Sequence, residues 1–526
     1  MKLRDHRWTG RVPTHSRLNG RTMLCVVALA LTEVRPLREQ MENRRIAHAN
    51  ETPAAIKQEL GQYFTPGHIA DFMASLFPEA TGDIRVLDPG AGIGSLSCAL
   101  AERIAVEDWD VGSISVDAYE IDQSLVEQLR ENLAGCFNGE NCEINVLNGD
   151  FLSAAAAAVL NGDSPRYTHV IMNPPYKKIR TASREREATK AFGLETVNLY
   201  TAFMGAAIVS TVDGGRIVAI VPRSFCNGTY YKPFRKFLLE RCAIERIHLF
   251  DSRDTAFKDE SVLQENIVIM LRKNAAQGDV LLSYSKDGSL EDIQSRSVPF
   301  SAIVNPSDKE RYINIPPCKE CEADIALDGM QSSLNDLGIQ ASTGSVVDFR
   351  AKDDLRMNFE EGSVPLIYSV HFKDWRVRWP VESKRPNAIM HTGATAKLFL
   401  PRGYYVAVKR FSAKEEKRRL VASIVTPDDF ANDEIAFENH LNVFMQCRHG
   451  LDRHVAYGLT AWLNTTWLDR RFRLFSGHTQ VNATDLRNLP YPTVEQLSNM
   501  GRMLEAKDEW SQETFDKIAS EAANGK

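Results

Sequence analysis

Four polar side chains end four successive strands that the sequence predicts in its first half. The segments "DIRVLDP", "SISVDAYEID", "CEINVLNGDF" and "THVIMNPPY" each contain a short apolar run, and each run stops at an acidic or amide side chain. The carboxyl ends of parallel strands meet at one edge of a sheet, where open sheets of this kind bind their ligands. We therefore expect one shared ligand site at this edge, formed by Asp88, Glu120, Asp150 and Asn173.

The fourth of these strands ends abruptly. Residues 170–172 have the apolar pattern of a buried strand, yet Asn173 is followed at once by Pro174, Pro175 and Tyr176. Proline cannot donate to a sheet ladder and fixes its own backbone angle. The sequence therefore predicts that Asn173 is held rigidly at the edge of the sheet.

A glycine loop joins the first of these strands to the helix that follows it. The loop reads Asp-Pro-Gly-Ala-Gly-Ile-Gly over residues 88–94, and Gly90 and Gly92 let the backbone approach a ligand closely. The GxGxG spacing differs from the GxGxxG spacing that holds a pyrophosphate, and Glu120 is placed to accept hydrogen bonds from ribose hydroxyls. This combination favours a nucleoside ligand without phosphate, and S-adenosylmethionine is such a ligand.

The order of strands and helices predicts the architecture. Strands alternate with helices from about residue 84, which indicates a parallel sheet covered by helices on both faces. The alternation lapses in the polar stretch 273–279, where we expect a domain boundary. Residues before 50 lack clear periodicity and are either a poorly ordered extension or sequence upstream of a start at Met41. The predicted divisions are therefore 1–49, 50–275, 276–500 and a tail of 501–526.

The bulk composition describes an ordinary globular chain of more than one domain. It has 526 residues, of which 43% are hydrophobic and 25% are charged, and this length is too great for a single core. No apolar run reaches the roughly 18 residues that span a membrane, so no membrane partner is expected. The nine cysteines are scattered, which predicts reduced thiols and a cytoplasmic location. The single close pair, Cys318 and Cys321, is weak evidence for zinc, and no metal site is expected.

The net charge of −6 does not favour a polyanionic partner, but local clusters of basic side chains matter more than the sum because salt screens each charge within about 10 Å. One cluster begins at Lys177 and Lys178, directly after the proline pair. Another, farther along the chain, begins at Lys409 and Arg410. Each cluster is either a solvated face or a contact for nucleic-acid phosphates.

Taken together, these motifs resemble those of a known enzyme family. "VLDPGAGIGSL", "AYEID", "NGDF" and "MNPPY", in this order, resemble the amino-methylating, S-adenosylmethionine-dependent DNA methyltransferases. "GQYFTP" over residues 61–66 resembles the segment that closes over the cofactor in the gamma class of these enzymes. The later segments "ASTGSVVDFR", "YYVAVKRFSAKEEKRR" and "LNTTWLDRRFRLFSGHTQVNATDLRNLPYP" resemble the target-recognition domain of the PstI/BsuBI-type adenine methylases. The resemblance covers about residues 55–495.

The resemblance implies a fold and a set of partners. It implies a Rossmann-like α/β sheet for the S-adenosylmethionine-dependent catalytic domain, followed by a mixed α/β target-recognition domain that reads double-stranded DNA. If a cognate restriction endonuclease exists, it is expected to be a separate chain. The cofactor contacts implied are the loop glycines, the acidic strand ends and the closing segment, which are Phe64, Thr65, Pro66, Asp88, Gly90, Gly92, Glu120 and Asp150.

The resemblance also implies a mechanism for the Asn-Pro-Pro-Tyr motif. The Asn173 side-chain oxygen and the Pro174 carbonyl would accept hydrogen bonds from the N6 amine of adenine, and the prolines would keep both acceptors in place. Tyr176 would stack on the base, which must leave the duplex to reach the site. A second aromatic would pack against the flipped base, with Tyr231 predicted for this role and Tyr230 as the alternative. Lys177, Lys178, Lys409 and Arg410 would contact DNA phosphates in a cleft between the domains.

Other readings of the same motif remain open. The Asn-Pro-Pro-Tyr arrangement also serves enzymes that methylate protein glutamine or RNA, but those chains are generally shorter and lack a large recognition domain. A silent DNA-binding specificity protein is a further alternative, which the intact catalytic positions disfavour. We therefore expect a site-specific adenine DNA methyltransferase, of the kind found in restriction–modification systems.

Overall fold

The structure is a computed structural model that describes residues 37–46, 64–180, 182–250, 266–306, 308–316, 327, 329–412, 416–475 and 480–524. The chain forms two compact units. The first combines Met1–Phe225 with Thr229–Phe300, and the second combines Cys226–Gly228 with Ser301–Lys526.

One nine-stranded sheet forms the centre of the first unit, in the order β3-β2-β1-β4-β5-β7-β6-β8-β9. Neighbours from β3 to β5 are parallel, as the alternating pattern predicts. Val170 and Ile171, which point to opposite faces of β4, are both fully buried, so both faces of the sheet are covered. The strands are β1 Gly82–Asp88, β2 Val111–Glu120, β3 Cys142–Asn148, β4 Tyr167–Met172, β5 Thr211–Pro222, β6 Cys242–Phe250, β7 Asn266–Lys273, β8 Val280–Ser285 and β9 Gln294–Val298.

The helices of the first unit follow the strands, as the sequence predicts for an α/β sheet. Gly94 directly precedes the helix Ser95–Val106 and has a left-handed backbone conformation, with φ +86°. A Cβ at this position would lie 3.0 Å from the Leu129 side chain, so the loop requires glycine here. The helices are α1 (residues 37–46), α2 Gly67–Ser75, α3 Ser95–Val106, α4 Val126–Cys136, α5 Phe151–Asn161, α6 Arg184–Ala191, α7 Leu199–Ser210 and α8 Lys232–Arg241.

The expectation of a wholly parallel sheet is wrong beyond β5. Strand β7 lies between β5 and β6 and runs antiparallel to both. Strand direction is not encoded in apolar periodicity, and antiparallel neighbours need no helical crossover between them. Residues 251–265, which join β6 to β7, lie outside the described part. The Rossmann-like α/β class predicted for this half is confirmed, with a mixed outer edge.

The first unit extends further than the sequence indicates. The polar stretch 273–279 is a turn between strands, because β8 pairs with β6 and β9 pairs with β8. The unit therefore ends at Phe300 instead of residue 275. At the other end, α1 belongs to the predicted extension 1–49, yet Met41 and Arg45 of this helix are buried, and Arg38 forms ion pairs with Asp71 and Glu102.

The second unit contains two sheets and a group of helices. The six-stranded sheet has the order β10-β20-β17-β18-β14-β13 and the five-stranded sheet the order β11-β15-β12-β19-β16. The strands are β10 Gln340–Thr343, β11 Leu355–Arg356, β12 Ser363–Ile367, β13 Phe372–Lys373, β14 Arg376–Val377, β15 Ala388–Met390, β16 Leu400–Pro401, β17 Tyr405–Lys409, β18 Ala422–Val425, β19 Glu434–Phe437 and β20 Leu441–Met445. This mixed α/β composition matches the expectation for this half.

Within the predicted tail 501–526, residues 501–524 are described and are part of the second unit, to whose core they contribute. Thr493 and Ser511 cap two helices with their side chains, and Phe515 and Ile518 are buried among the core residues. The helices after Phe300 are α9 Phe300–Ile303, α10 Arg453–Leu463, α11 Thr466–Phe475, α12 Ala483–Arg487, α13 Val494–Glu505 and α14 Gln512–Ala523.

Two further expectations meet the structure here. The prediction that all cysteines are reduced is wrong for one pair, because Cys98 of α3 and Cys136 of α4 form a disulfide where these two helices pack together. Cys318 and Cys321 lie outside the described residues. Within the part of the chain that the structure describes, no helix is both long and apolar enough to cross a membrane.

Candidate active site

The structure brings the predicted strand ends to one edge of the first sheet. Asp88 and Glu120 are the last residues of β1 and β2, and Asn173 comes directly after β4. Asp150 lies two residues beyond β3. These strands are consecutive neighbours in the sheet, so the four side chains share the edge at which such sheets bind ligands.

The amide of Asn173 is held at both ends. Its Nδ2 donates a hydrogen bond to the Thr65 hydroxyl over 3.1 Å, and its Oδ1 accepts one from the Tyr176 hydroxyl over 2.8 Å. Pro174 is buried, whereas Asn173, Pro175 and Tyr176 are half-buried. The motif thus presents a fixed amide at a position that a ligand can reach.

A row of aromatic rings extends from this amide. The Tyr176 hydroxyl also lies 3.1 Å from the Ile220 carbonyl oxygen of β5, and its ring meets the Tyr200 ring edge-on, with centroids 6.2 Å apart. Tyr200 in turn lies 6.0 Å from Tyr231. Tyr200 has no signal in the sequence that distinguishes it from a packing residue, because it is a buried tyrosine inside a helix.

The two tyrosines considered for the flipped base differ sharply in exposure. Tyr231 is 7% exposed and Tyr230 is 78% exposed. The Tyr231 hydroxyl accepts a hydrogen bond from the Asn198 side chain. Tyr231 therefore belongs to the aromatic row, while the Tyr230 ring points to solvent beside it.

The glycine loop is tied to the end of β2. The Gly92 amide donates to Glu120 Oε2 over 2.8 Å, and the Asp122 amide donates to Glu120 Oε1 over 2.8 Å. Burial raises the pKa of Glu120, although these backbone hydrogen bonds oppose the rise. The carboxylate thus fixes the loop and still has lone pairs for a ligand hydroxyl.

Asp88 is the most deeply buried charge of the site. Its Oδ2 accepts a hydrogen bond from the Ser97 hydroxyl over 2.8 Å, while its Oδ1 has no hydrogen-bond partner among the described residues. Burial raises the pKa of Asp88 to about 7, the Ser97 hydroxyl lowers it in part, and the charge of Glu120 adds to the rise. A buried carboxylate oxygen without a partner is costly, and a ligand ammonium would satisfy it.

The closing segment lies against both halves of the site. Phe64 packs on the loop, because a Cβ at Gly92 would come within 3.0 Å of its ring. Thr65 reaches Asn173, as described above, and the Pro66 carbonyl accepts the first hydrogen bonds of α2. All three residues are buried. Residues 61–63, the first half of the predicted motif, lie outside the described part.

Asp150 also has a structural role, as the N-cap of a helix, which the sequence pattern indicates. Its side chain caps α5, accepting hydrogen bonds from the amides of Leu152 and Ser153. An aspartate just before an apolar helix is the usual N-cap pattern. The structure therefore places Asp150 at the predicted edge and adds a second reason for the residue.

The predicted DNA contacts differ in exposure. Lys177 and Lys178 of the first unit are exposed directly after the Asn-Pro-Pro-Tyr motif. In the second unit, Lys409 and Arg410 are half-buried, and Arg410 donates to the Asn439 carbonyl over 3.1 Å. The same basic run continues to Arg419, which is fully buried and is thus part of the core instead of a phosphate-binding face.

Comparison with known proteins gives consistent similarities. A model of the Eco57I restriction-modification methylase family matches residues 94–257. Type II methyltransferase M.BsuBI of Bacillus subtilis is 45% identical over 455 residues, which cover 85% of this chain and 90% of that protein. Type II methyltransferase M.PstI of Providencia stuartii is 41% identical over 478 residues, which cover 89% of this chain and 93% of that protein. The similarity therefore includes both units.

Proposed function

The chain belongs to the family of Type II methyltransferases that includes M.BsuBI and M.PstI, and from this premise we propose that it methylates the N6 amino group of adenine within a specific double-stranded DNA sequence. The observation that carries the proposal is the Asn173 amide, which is fixed beside Pro174 and an aromatic row at the end of β4.

The methyl donor of this DNA methyltransferase is S-adenosyl-L-methionine, which supplies an electrophilic methyl group on a positively charged sulfur. We propose that the buried Asp88 holds the amino group of its methionine part and that Glu120 accepts hydrogen bonds from the ribose hydroxyls. Asp88 Oδ1, without a partner among the described residues, fits a cation. Gly90, Gly92, Asp150 and the segment Phe64, Thr65 and Pro66 would complete the pocket.

At the target base, the chain must turn a poor nucleophile into a competent one. An exocyclic amine on a purine is weakly nucleophilic because its lone pair is delocalised into the ring. We propose that Asn173 Oδ1 and the Pro174 carbonyl accept its two hydrogens, which favours a pyramidal nitrogen. With S-adenosyl-L-methionine bound, this nitrogen would take the methyl group from the sulfur, which would leave as a neutral thioether, and the extra proton on the nitrogen would pass to water. Because these acceptors are already fixed, little reorganisation is needed during the reaction.

The base must leave the duplex to reach this pocket, at a cost of a few kcal/mol. We propose that Tyr176 stacks on it and that Tyr231, through the aromatic row, forms a second wall. Tyr230 is the competing candidate because its ring is exposed.

The two tyrosines can be separated by measuring DNA binding and turnover of matched variants. We expect Tyr231→Ala to weaken both by about 10-fold or more, since stacking contributes roughly 1–3 kcal/mol per base, and Tyr230→Ala to change them much less. The reverse ranking in two folded variants would transfer the role to Tyr230.

We further propose that the second unit selects the DNA sequence and that Lys177, Lys178, Lys409 and Arg410 contact its phosphates. The exposure of the two lysines after the motif supports the first pair, and the partial exposure of Lys409 and Arg410 supports the second. An enzyme of this kind would act on DNA in the cytoplasm. Any cognate restriction endonuclease would be a separate chain.

The identity of the methylated base and its sequence context test the proposed function. Purified protein, incubated with S-adenosyl-L-methionine and plasmid DNA, should yield N6-methyladenine at one recurrent sequence, read by nucleoside mass spectrometry and single-molecule sequencing. Exchange of Ser301–Lys526 for the matching part of a relative should move methylation to the relative's sequence. N4-methylcytosine as the sole product, or methylated RNA or protein without methylated DNA, would contradict the proposal.

A further inference from the structure

We propose that Thr65 is a positioning residue for the catalytic amide: its hydroxyl sets the orientation of Asn173 so that the amide oxygen faces the target base. This inference rests on the proposed function of Asn173. It assigns to Thr65 a duty in the methyl-transfer step, separate from the cofactor contact expected of its segment.

The first support is the contact itself. Thr65 and Asn173 are 108 positions apart in the chain, yet the amide nitrogen donates to the threonine hydroxyl over 3.1 Å. Thr65 is only 5% exposed, so water is a poor substitute for its oxygen. The hydrogen bond therefore connects the closing segment to the Asn-Pro-Pro-Tyr motif in a partly buried region.

The second support is the chemistry of an asparagine amide. Rotation by half a turn about its last bond exchanges an oxygen that only accepts with an NH₂ group that only donates. With the NH₂ group toward the base, donor would face donor, and the amine of the target would lose an acceptor. A hydroxyl can both donate and accept, so neither partner selects the orientation by itself. In the structure the Thr65 hydroxyl accepts from Nδ2 and the Tyr176 hydroxyl donates to Oδ1, and this pair of contacts holds the amide in the productive orientation.

The third support is that Thr65 is itself well placed by its neighbours. Phe64 is buried against Gly92 of the glycine loop, and the Pro66 carbonyl accepts hydrogen bonds from the amides of Ile69 and Ala70 at the start of α2. The hydroxyl between them thus has a fixed position. A side chain fixed in this way can act as a reference point for the amide opposite.

Three variants test the inference. Thr65→Val replaces the hydroxyl by a methyl group of similar size, and we expect kcat to fall by about 10- to 100-fold, the usual effect of leaving one buried polar group unsatisfied. Thr65→Ser keeps the hydroxyl and should restore kcat to within about 3-fold of the wild type. Thr211→Val is the matched control, because Thr211 is also fully buried, at the opposite end of β5, with its hydroxyl on the Ala207 carbonyl; its kcat should not change.

Cofactor affinity separates positioning from binding. Because Thr65 also belongs to the proposed cofactor pocket, kcat is measured at saturating S-adenosyl-L-methionine, and calorimetry measures the cofactor Kd of Thr65→Val and Thr65→Ser separately. Unchanged kcat in Thr65→Val would overturn the inference, and so would a loss confined to cofactor Kd. If Thr65→Val does not fold, as judged by thermal unfolding, Thr65→Ala removes the same oxygen and the same criteria apply to it.

Failure of this inference and failure of the proposed function have different signatures. The wild-type product alone tests the function, through the identity of the methylated base. The ratio of kcat between Thr65→Val and Thr65→Ser tests the positioning role, whatever that base is. A wild-type N6-methyladenine product with equal kcat in both variants would reject the inference and leave the function in place.

Discussion

Asn173→Ala is expected to remove measurable methyl transfer while leaving the affinity for S-adenosyl-L-methionine close to that of the wild type. Loss of one preorganised polar contact to a reacting group typically lowers turnover by about 10²- to 10³-fold. The cofactor contacts proposed here come from the ends of β1 and β2, the glycine loop, Asp150 and the segment 64–66, whereas Asn173 follows β4 and is assigned to the target base. Turnover on plasmid DNA and calorimetry with the cofactor measure the two effects separately.

Glu120→Ala provides the reciprocal control. It should weaken cofactor binding by about 1–3 kcal/mol, because ribose hydroxyls and the Gly92 amide lose their acceptor. If folded Asn173→Ala lost cofactor binding, or if Glu120→Ala altered turnover without affinity, the proposed division between the two pockets would be wrong.

The second large effect concerns Asp88 and pH. In the cofactor-free protein, burial raises the pKa of this carboxyl from 3.8 to about 7, so between these values the folded state binds a proton that the unfolded state releases. The contribution of this group to stability is therefore greatest below about pH 4 and is lost as the pH rises through about 7. At about 1.4 kcal/mol for each pKa unit, the loss reaches up to about 4 kcal/mol.

Asp88→Asn removes this titration. We expect the free energy of unfolding of the variant, relative to that of the wild type, to improve by up to about 4 kcal/mol between pH 4 and pH 8. Its affinity for S-adenosyl-L-methionine should fall, since the ligand ammonium no longer meets a carboxylate. Urea unfolding at both pH values measures the first effect and calorimetry the second.

Asp163→Asn, at an exposed position after α5, is the control for the Asp88 experiment and should reproduce the wild-type dependence on pH. A relative stability of Asp88→Asn that is the same at pH 4 and pH 8 would show that folding does not raise the pKa of Asp88. In that case the carboxylate must have a compensating partner when the protein is folded.

The strand-end residues were predictable because local patterns determine them. Asp88, Glu120 and Asn173 each follow a short apolar run, and a parallel sheet brings such ends together whatever the details of packing. The boundaries of the two units were harder to predict from the sequence. The turn at 273–279 has the polar composition of a linker, and only its pairing partners reveal that β8 and β9 continue the sheet.

Some structural features that we did not predict do have a local signal in the sequence. The helix over Gln512–Ala523 has a serine cap and an apolar stripe, which could have predicted that this part of the tail is helical. Other features depend on tertiary packing alone. The contact between Thr65 and Asn173 joins residues 108 positions apart, and nothing in either segment indicates its partner.

The packing of the closing segment also constrains how the gene can change over generations. A side chain at position 92 would meet the Phe64 ring at 3.0 Å and would also have to adopt φ +56°, so glycine is required there even if residue 64 becomes smaller. Loss of the hydroxyl at 65 likewise removes the acceptor of the amide at 173. Substitutions at positions 65 and 173, which are distant in the chain but in contact, should therefore be inherited together, as covariation between contacting positions. Sequence change in the segment 64–66 is therefore limited by its contacts with the glycine loop and with Asn173.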